Sequence, residues 1–415
     1  MTQVNPKTPV LYLSYDGLTD PLGQSQVLPY LFGLEQKGFS FTIISFEKRE
    51  RFAQGEAHII EVLSQRRIEW IPMRYHKKPP VLSTLYDLWL MRKMAKRICQ
   101  RNDVEFVHCR SYIPGLAGLW LKRKEGVKFL FDIRGFWADE RVDGGLWRLS
   151  NPIFKMIYNF FKKKEAEMMM KADHIISLTH AGKSEITSGR LFKYKHKIIP
   201  EDKITVIPCA VDLELFDPNR IDQKELMELR AHLGIDENDK IMIYLGSLGT
   251  WYLLDEMLMF FKEWLKIESG FKLLFVTKDD HQYILEKAMQ TGTPSEKLIL
   301  TESSRTKVPY HIALADVGLF FIKPAYSKKA SSATKMGELL AMGLPIITNE
   351  GVGDAKYLME MKEVGCLIDL RSYSTEAVFE AFQKFERVNS IELAKHYFSL
   401  SKGISSYSEV YHQLL

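Results

Sequence analysis

The segment from Ser327 to Pro345 is the most informative for chemistry, with Lys328, Lys329, Ser331, Ser332, Thr334 and Lys335 followed by Glu338. It predicts a loop entering a helix, with Ser331, Ser332 and Thr334 suited to capping the helix's exposed N–H groups. Lys335 then falls in the first turn, where a cation opposes the helix dipole unless a negative group lies between them. A bound diphosphate meets that requirement. Lys335 and Glu338 are spaced i, i+3 and share one helix face, so the ammonium can hold phosphate while the carboxylate accepts two ribose hydroxyl protons.

Three further segments carry compatible chemistry. Gly246-Ser247-Leu248-Gly249 follows the apolar run Ile241–Leu245, and glycine there lets backbone N–H groups approach a phosphate closely. Asp16–Gln26, which includes Gly23, follows Val10–Ser14 and predicts a strand-to-helix loop at the carboxyl end of a parallel strand, where doubly wound proteins bind ligands. Phe131–Arg141 is dense in acids, bases and aromatics just after an apolar strand. Within it Asp132, Asp139 or Glu140 can act as a base or orient a hydroxyl, Arg134 can bind an anionic group, and Trp137 can stack on a sugar ring.

Other chemistries lack their signatures. The chain has no G-x-G-x-x-G, no G-x-x-x-x-G-K-[ST] and no G-x-S-x-G, which lowers the prior for a dinucleotide oxidoreductase, a P-loop NTPase or an α/β-hydrolase. It has no D-x-D and no H-x-x-x-H, so no dedicated metal site and no cofactor are expected. Four scattered cysteines, Cys99, Cys109, Cys209 and Cys366, form no C-x-x-C pair and read as reduced thiols.

The elements that must position these residues alternate strand and helix. In the first half, Val10–Ser14, Phe41–Phe46, Val104–Cys109 and Phe129–Ile133 read as short buried strands, with a helix expected over Gln24–Gly38. In the second half the strands are Ile241–Leu245, Lys272–Thr277, Val317–Ile322 and Leu344–Thr348, with a helix over Leu253–Ile267. Two strand-first series predict two doubly wound parallel-sheet domains of α/β class, divided near residues 198–212.

Composition fits this scheme. At 46% hydrophobic and 26% charged the chain is globular, it has room for two domains, and no run of 18 apolar residues is present. The start Met1-Thr2-Gln3 lacks a secretory pattern, so a cytosolic location is expected. The net charge of +5 hides an asymmetry. Residues 1–200 carry 33 Lys+Arg against 20 Asp+Glu, and residues 201–415 carry 24 against 32, so the halves stand at +13 and −8. A basic half attracts nucleic acid, an anionic membrane or a phosphorylated substrate. No nucleic-acid motif accompanies it, which leaves a membrane or a phosphorylated partner. Two basic amphipathic segments, Arg74–Gln100 and Trp147–Lys171, can lie on an anionic leaflet or pack as ordinary helices.

With Asp20–Gln26, Ile207–Asp212 with Phe216, Tyr244–Ser247 and Ser332–Pro345 taken together, the whole chain resembles the retaining nucleotide-sugar glycosyltransferases of GT-B fold, the group 1 or family 4 type. The resemblance implies two facing Rossmann-like domains with a cleft between them. On this reading the acceptor-side domain spans residues 1–200, the donor-nucleotide domain 201–395, and a last helix at 396–415, carrying Tyr407 and Tyr411, returns to the first domain. It implies donor contacts from Gly23, Gly246, Ser247, Lys335 and Glu338. The residue types add Ser332 and Thr334 on the donor side, Trp137 and Glu140 on the acceptor side, and Asp132, Arg134 and Asp139 as catalytic candidates.

Three departures stand out. Ala330 occupies the position eight before Glu338 where the family carries a second glutamate. The Arg and Lys usual after the phosphate turn are absent, with Lys323, Lys328 and Lys329 as substitutes, and Asp132 occupies the neighbourhood of the family's first-domain histidine. The expected function is metal-independent transfer of a sugar from a nucleoside-diphosphate sugar to a glycan or lipid-linked acceptor in surface-polysaccharide assembly. The alternatives are a catalytically silent sugar-nucleotide or glycan-binding partner and a nucleotide-sugar epimerase.

Overall fold

Short runs of β-branched and aromatic residues, apolar on both faces, are stable only as central strands covered on both sides. The computed structural model describes residues 8–66, 68–101, 103–190 and 198–415 and shows this outcome twice. The tripeptide Met1-Thr2-Gln3 lies outside the described residues. The chain divides into two compact units, Met1–Pro208 with Leu400–Leu415, and Cys209–Ser399.

The first unit holds strands β1 (Thr8–Ser14), β2 (Phe39–Glu47), β3 (Ile68–Arg74), β4 (Phe106–Arg110), β5 (Lys128–Asp132), β6 (His174–Ser177) and β7 (Ile204–Val206). They form a parallel sheet in the order β3-β2-β1-β4-β5-β6-β7. The order reverses between β1 and β4, the switch point beyond which α/β sheets bind ligands. Register places Ser14 beside Arg110 and Arg110 beside Asp132, which sets a row of polar side chains on the carboxyl edge of the sheet at this switch.

The second unit repeats the pattern with β8 (Lys240–Leu245), β9 (Phe271–Val276), β10 (Leu298–Thr301), β11 (Val317–Leu319), β12 (Ile346–Asn349) and β13 (Gly365–Ile368), in the order β10-β9-β8-β11-β12-β13. Its switch lies between β8 and β11. The helix Leu254–Ile267 buries Met257, Leu258, Phe260, Phe261 and Trp264 against this sheet. Trp264 packs on Phe271 and Phe379 with ring centroids 5.5 and 5.1 Å apart.

The last helix, Leu400–Leu414, is part of the first unit. Tyr411 sits edge-on to Phe39 and Phe106 at 5.0 and 4.7 Å, and Tyr30 meets Tyr407 at 5.3 Å. A buried aromatic side chain contributes about 1.5–3 kcal/mol, so these tyrosines anchor the helix firmly.

Several element bounds differ from the sequence expectation. The helix expected over Gln24–Gly38 is two helices, Pro21–Gln26 and Leu28–Gln36, broken at Val27. Pro29 has no N–H to give to the preceding turn and its ring crowds that turn's carbonyl, so one continuous helix is disfavoured. The strand expected from Val104 begins at Phe106. The strand expected to reach Ile322 ends at Leu319, and beyond it the Asn349 side chain takes the ladder's place, accepting from Ile322 N at 2.7 Å and donating to Ile322 O at 2.9 Å.

Candidate functional site

In the second unit the switch point gathers the residues singled out for a diphosphate. Gly246 follows β8 at φ 89°, a conformation that favours glycine, and a Cβ there would lie 3.8 Å from Lys335 Nζ. Lys335 projects from the first turn of the helix Thr334–Ala341. Its Nζ lies 3.6 Å from the ring centre of Tyr252 and 4.0 Å from that of Tyr244. It has no hydrogen-bond partner among the described residues.

The energetics of this ammonium are one-sided. Two aromatic faces offer about 0.5–2 kcal/mol each, whereas a buried ion costs several kcal/mol unless its donors are satisfied. Burial accordingly pulls the Lys335 pKa well below the usual lysine value, against the upward pull of Glu338 and Asp279. An anion with several acceptor oxygens supplies what this site lacks.

The surrounding partners correct two expectations. The capping role given to Ser331, Ser332 and Thr334 does not hold: the cap position is Ala333, with no side-chain cap hydrogen bond, and Ser332 Oγ instead accepts from Cys209 N at 3.3 Å. No side chain caps this helix start, and within its first turn Met336 N donates to Ala333 O at 3.0 Å. The turn after β8 is held by Asp279, a residue that sequence reasoning missed. Asp279 accepts from Ser247 Oγ at 3.0 Å and from Leu248 N, so in this structure Ser247 serves the shape of the turn.

Glu338 lies on the same helix and is buried, with Oε1 bonded by Arg305 Nη1. Arg305, also missed, follows β10 and rests over the Phe216 ring at 4.7 Å. Of the three lysines considered as substitutes, Lys328 is the most enclosed, with Nζ 3.7 Å from the Trp251 ring centre.

In the first unit, Asp132 ends β5 with its side chain 1% exposed. Its Oδ2 accepts from Tyr407 Oη at 3.0 Å and lies 3.5 Å from His108 Nε2, 3.8 Å from Arg134 Nη1 and 4.0 Å from Arg110 Nη1. Arg110 Nε lies 3.7 Å from Asp16 Oδ2. Burial raises the Asp132 pKa, but Arg134, His108 and Arg110 outweigh it and hold the carboxyl below its ordinary value. His108 donates or accepts at Nδ1 with Tyr411 Oη at 2.7 Å, and burial lowers its pKa despite Asp132, so the imidazole is neutral and its contact with Asp132 is not an ion pair.

Asp132, expected as a base or an orienting group, lies in an enclosed charge cluster: its Oδ2 faces the arginines, and its Oδ1 has no hydrogen-bond partner among the described residues. Enclosed beneath the last helix and held ionised by arginines, it is a counter-ion that fixes Arg110 and Arg134. Arg134 adopts φ 55°, a left-handed conformation that costs an ordinary residue roughly 1–2 kcal/mol and marks a position held by its surroundings.

Asp139 is enclosed too. Both its oxygens are engaged, by Tyr158 Oη at 2.8 Å and Lys162 Nζ at 2.7 Å, and Lys162 also pairs with buried Glu165, which receives the Tyr112 hydroxyl. This network joins the helix Trp137–Asp143 to the helix Pro152–Lys171. Trp137 packs on Phe161, Trp147 and Tyr112 at 4.8, 5.3 and 5.8 Å, with Arg141 over its ring, so it is committed to a protein cluster rather than displayed for a sugar. Glu140 is half-buried on the same helix.

Gly23 lies inside the helix Pro21–Gln26 and is buried. A Cβ there would come within 2.2 Å of Gly17 O, so its smallness serves the packing of that helix on the loop before it. The same loop is locked by Glu47, which accepts from Leu18 N at 2.8 Å, Thr19 N at 3.2 Å and Thr19 Oγ1 at 2.5 Å. Among the described residues no group of three or more His, Cys, Asp or Glu side chains is arranged to hold a metal ion.

Glycosyltransferase Family 4 matches residues 30–215. The match spans most of the first unit. Over 366 residues the sequence is 22% identical to the alpha-monoglucosyldiacylglycerol synthase of Streptococcus pneumoniae (strain ATCC BAA-255 / R6), covering 87% of this chain and 70% of that protein. Among solved structures, a glycosyltransferase from Rickettsia africae ESF-5 superposes with a TM-score of 0.68 at 18% identity, over 99% of both chains. An Anabaena protein solved with UDP and glucose gives 0.67 at 12% identity, over 97% of this chain and 99% of that one. At such identities the structural likeness is one of fold, and the fold is the pair of Rossmann-like domains of GT-B glycosyltransferases.

Proposed function

We propose that the chain is a retaining glycosyltransferase that moves a sugar from a nucleoside-diphosphate sugar to a glycan or lipid-linked acceptor, in the synthesis of a surface polysaccharide or glycolipid. The observation that carries this reading is Lys335: a buried ammonium without an acceptor, beside a positive-φ glycine and at a helix start without a side-chain cap, at the switch point of a parallel sheet. The match to Glycosyltransferase Family 4 and the similarity to a synthase named for a glucosylated diacylglycerol support it.

In this reading the diphosphate lies against Lys335 and the N–H groups of the first turn, and Gly246 admits it closely. Glu338 turns from Arg305 toward the ribose hydroxyls. As the anomeric C–O bond breaks, negative charge grows on the leaving diphosphate, and donors already fixed in place stabilise it without reorganising. Fixed cations thus take the part that a metal ion plays in other transferases, so transfer is metal-independent. In the first unit Arg110 and Arg134, steadied by Asp132, supply positive charge on the acceptor side.

The test is transfer itself. Purified protein incubated with radiolabelled UDP-, GDP- or ADP-sugars and a bacterial lipid extract is expected to give a labelled lipid with the donor's anomeric configuration by NMR. A product of inverted configuration removes the retaining assignment, and isomerised donor without any labelled product favours an epimerase.

We also propose peripheral attachment to an anionic membrane through the first unit. Among the described residues no helix is long and apolar enough to cross a membrane. The helix Pro152–Lys171, however, exposes Ile153, Met156 and Phe160 in one stripe at i, i+3 and i+7, beside Lys155 and Lys163. Such a face is drawn to an anionic leaflet, each basic residue near the surface contributing about 1 kcal/mol. The protein is expected to float with phosphatidylglycerol vesicles at low salt and to be released at high salt, and Met156→Glu is expected to weaken flotation. Equal recovery with and without vesicles would remove this proposal.

A further inference from the structure

A second polar centre lies on the carboxyl edge of the first sheet, apart from the Asp132 cluster. Asp87, on the helix Leu82–Arg101, has a side chain with no exposure, yet it is an acid. Its Oδ1 meets His76 Nδ1 at 2.6 Å, and its Oδ2 accepts from His76 N at 3.1 Å and from Tyr15 Oη at 2.8 Å. The carboxylate oxygen 2.6 Å from Nδ1 accepts from it, which turns Nε2 outward; in the neutral ring Nε2 is then the acceptor. The ring is 31% exposed, and Nε2 has no partner among the described residues. His76 follows β3 and Tyr15 follows β1, so both stand on the ligand-binding edge of the sheet.

A buried carboxylate is costly unless several donors satisfy it, and here it fixes the tautomer and orientation of one half-exposed imidazole. The surroundings indicate what the imidazole meets. Tyr86 lies edge-on to His76 at 5.2 Å and stacks with Trp89 at 6.0 Å and 25°, both rings about half exposed. On the same helix face Leu82 and Leu85 are exposed, so Leu82, Leu85, Tyr86 and Trp89 form a stripe at i, i+3, i+4 and i+7. Flat aromatic faces suit the C–H faces of a sugar ring, a lone pair suits its hydroxyl, and leucines suit a hydrocarbon chain.

We propose that this is the acceptor subsite and that its ligand is amphiphilic: His76 Nε2 accepts a hydrogen bond from the acceptor hydroxyl, Tyr86 and Trp89 cover the ring, and Leu82 and Leu85 cover the lipid anchor. The inference rests on the glycosyltransferase reading and narrows its acceptor to a lipid-linked hydroxylated headgroup.

The probe is monomeric n-octyl β-D-glucopyranoside, followed by saturation-transfer NMR on the full chain. The wild type is expected to show transfer to both ring and alkyl protons. His76→Ala is expected to weaken binding about tenfold, the effect of losing roughly 1.4 kcal/mol. His76→Gln, whose amide oxygen can still accept, should retain more affinity, and Tyr86→Ala should lose ring contact while alkyl contact remains. Absence of binding to the wild type, or affinity within twofold in both His76→Ala and Tyr86→Ala, overturns the proposal and leaves the stripe as a plain lipid contact. The UDP-, GDP- and ADP-induced thermal shifts of the same proteins are read in parallel. Glucoside binding lost with a nucleotide shift kept bears on this inference alone, whereas no nucleotide shift in any protein strikes the glycosyltransferase reading.

Discussion

Replacing Lys335 with methionine is expected to make the protein more stable and almost inactive. The ammonium is buried over two tyrosine rings with no hydrogen-bond acceptor, so exchange for an apolar chain of similar length removes an unpaid desolvation cost and keeps the packing. Such exchanges gain about 1–4 kcal/mol. Transfer should fall about 10²–10³-fold, the usual loss when a fixed group that stabilises developing negative charge is removed. Thermal denaturation and the transfer assay, run side by side, check both halves.

The pH dependence follows from the lowered pKa of Lys335. Between that depressed value and the ordinary lysine value of about 10.4, the unfolded chain holds a proton that the folded chain has released. Wild-type stability from this group therefore rises with pH across the window. The advantage of Lys335→Met should be largest below the window and shrink through it. Within the same window nucleotide binding should take up a proton, since a diphosphate restores the charge on Lys335. Calorimetry in buffers of different ionisation enthalpy reads that proton, which should vanish in the variant.

The second large effect is at Asp132. Asp132→Ala is expected to destabilise the protein by about 3–5 kcal/mol, because removing one member of a buried ionic cluster strands the others. Here Arg110 and Arg134 lose their shared carboxylate, Tyr407 on the last helix loses its acceptor, and the left-handed conformation of Arg134 loses its restraint. The sign with pH is opposite to that of Lys335. A carboxyl held below its ordinary value contributes fully above that value and loses its contribution as pH falls through the folded-state pKa. The stability gap between wild type and Asp132→Ala should thus be full at neutral pH and close in acid. A variant that unfolds like wild type at pH 7 would return Asp132 to the list of candidate bases.

These two residues also show what the sequence could disclose. The placement of Lys335 in a first helical turn, on one helix with Glu338, was legible because a helix-entering loop is a local pattern and one turn fixes its geometry. The parallel sheets were legible for the same reason: each strand is a short apolar run with its turn signal beside it. The role of Asp132 was not, because its partners Arg110, Arg134 and Tyr407 come from three elements, one of them 275 residues away. Asp279, Arg305 and the His76–Asp87 pair were missed likewise, since only the folded sheets bring them to their sites. A density of charges beside a strand pointed to Phe131–Arg141 but could not tell a reactive acid from a counter-ion. Burial and hydrogen bonding bear on that distinction: both are enclosed, Asp139 has both oxygens engaged, and Asp132 turns Oδ2 to Tyr407 and the arginines.

The most direct test is a thermal-shift panel of UDP, GDP, ADP and their sugars on wild type and on Glu338→Ala. Glu338 is bonded to a half-exposed arginine, so its removal should leave the fold intact while taking away the proposed ribose contact. One nucleotide should raise the wild-type midpoint, with about 2.7 kcal/mol of stabilisation at a hundredfold excess over its Kd. That shift should be lost in Glu338→Ala. An unchanged shift in the variant, or none in the wild type, would contradict a nucleotide-sugar site at Lys335 and Glu338.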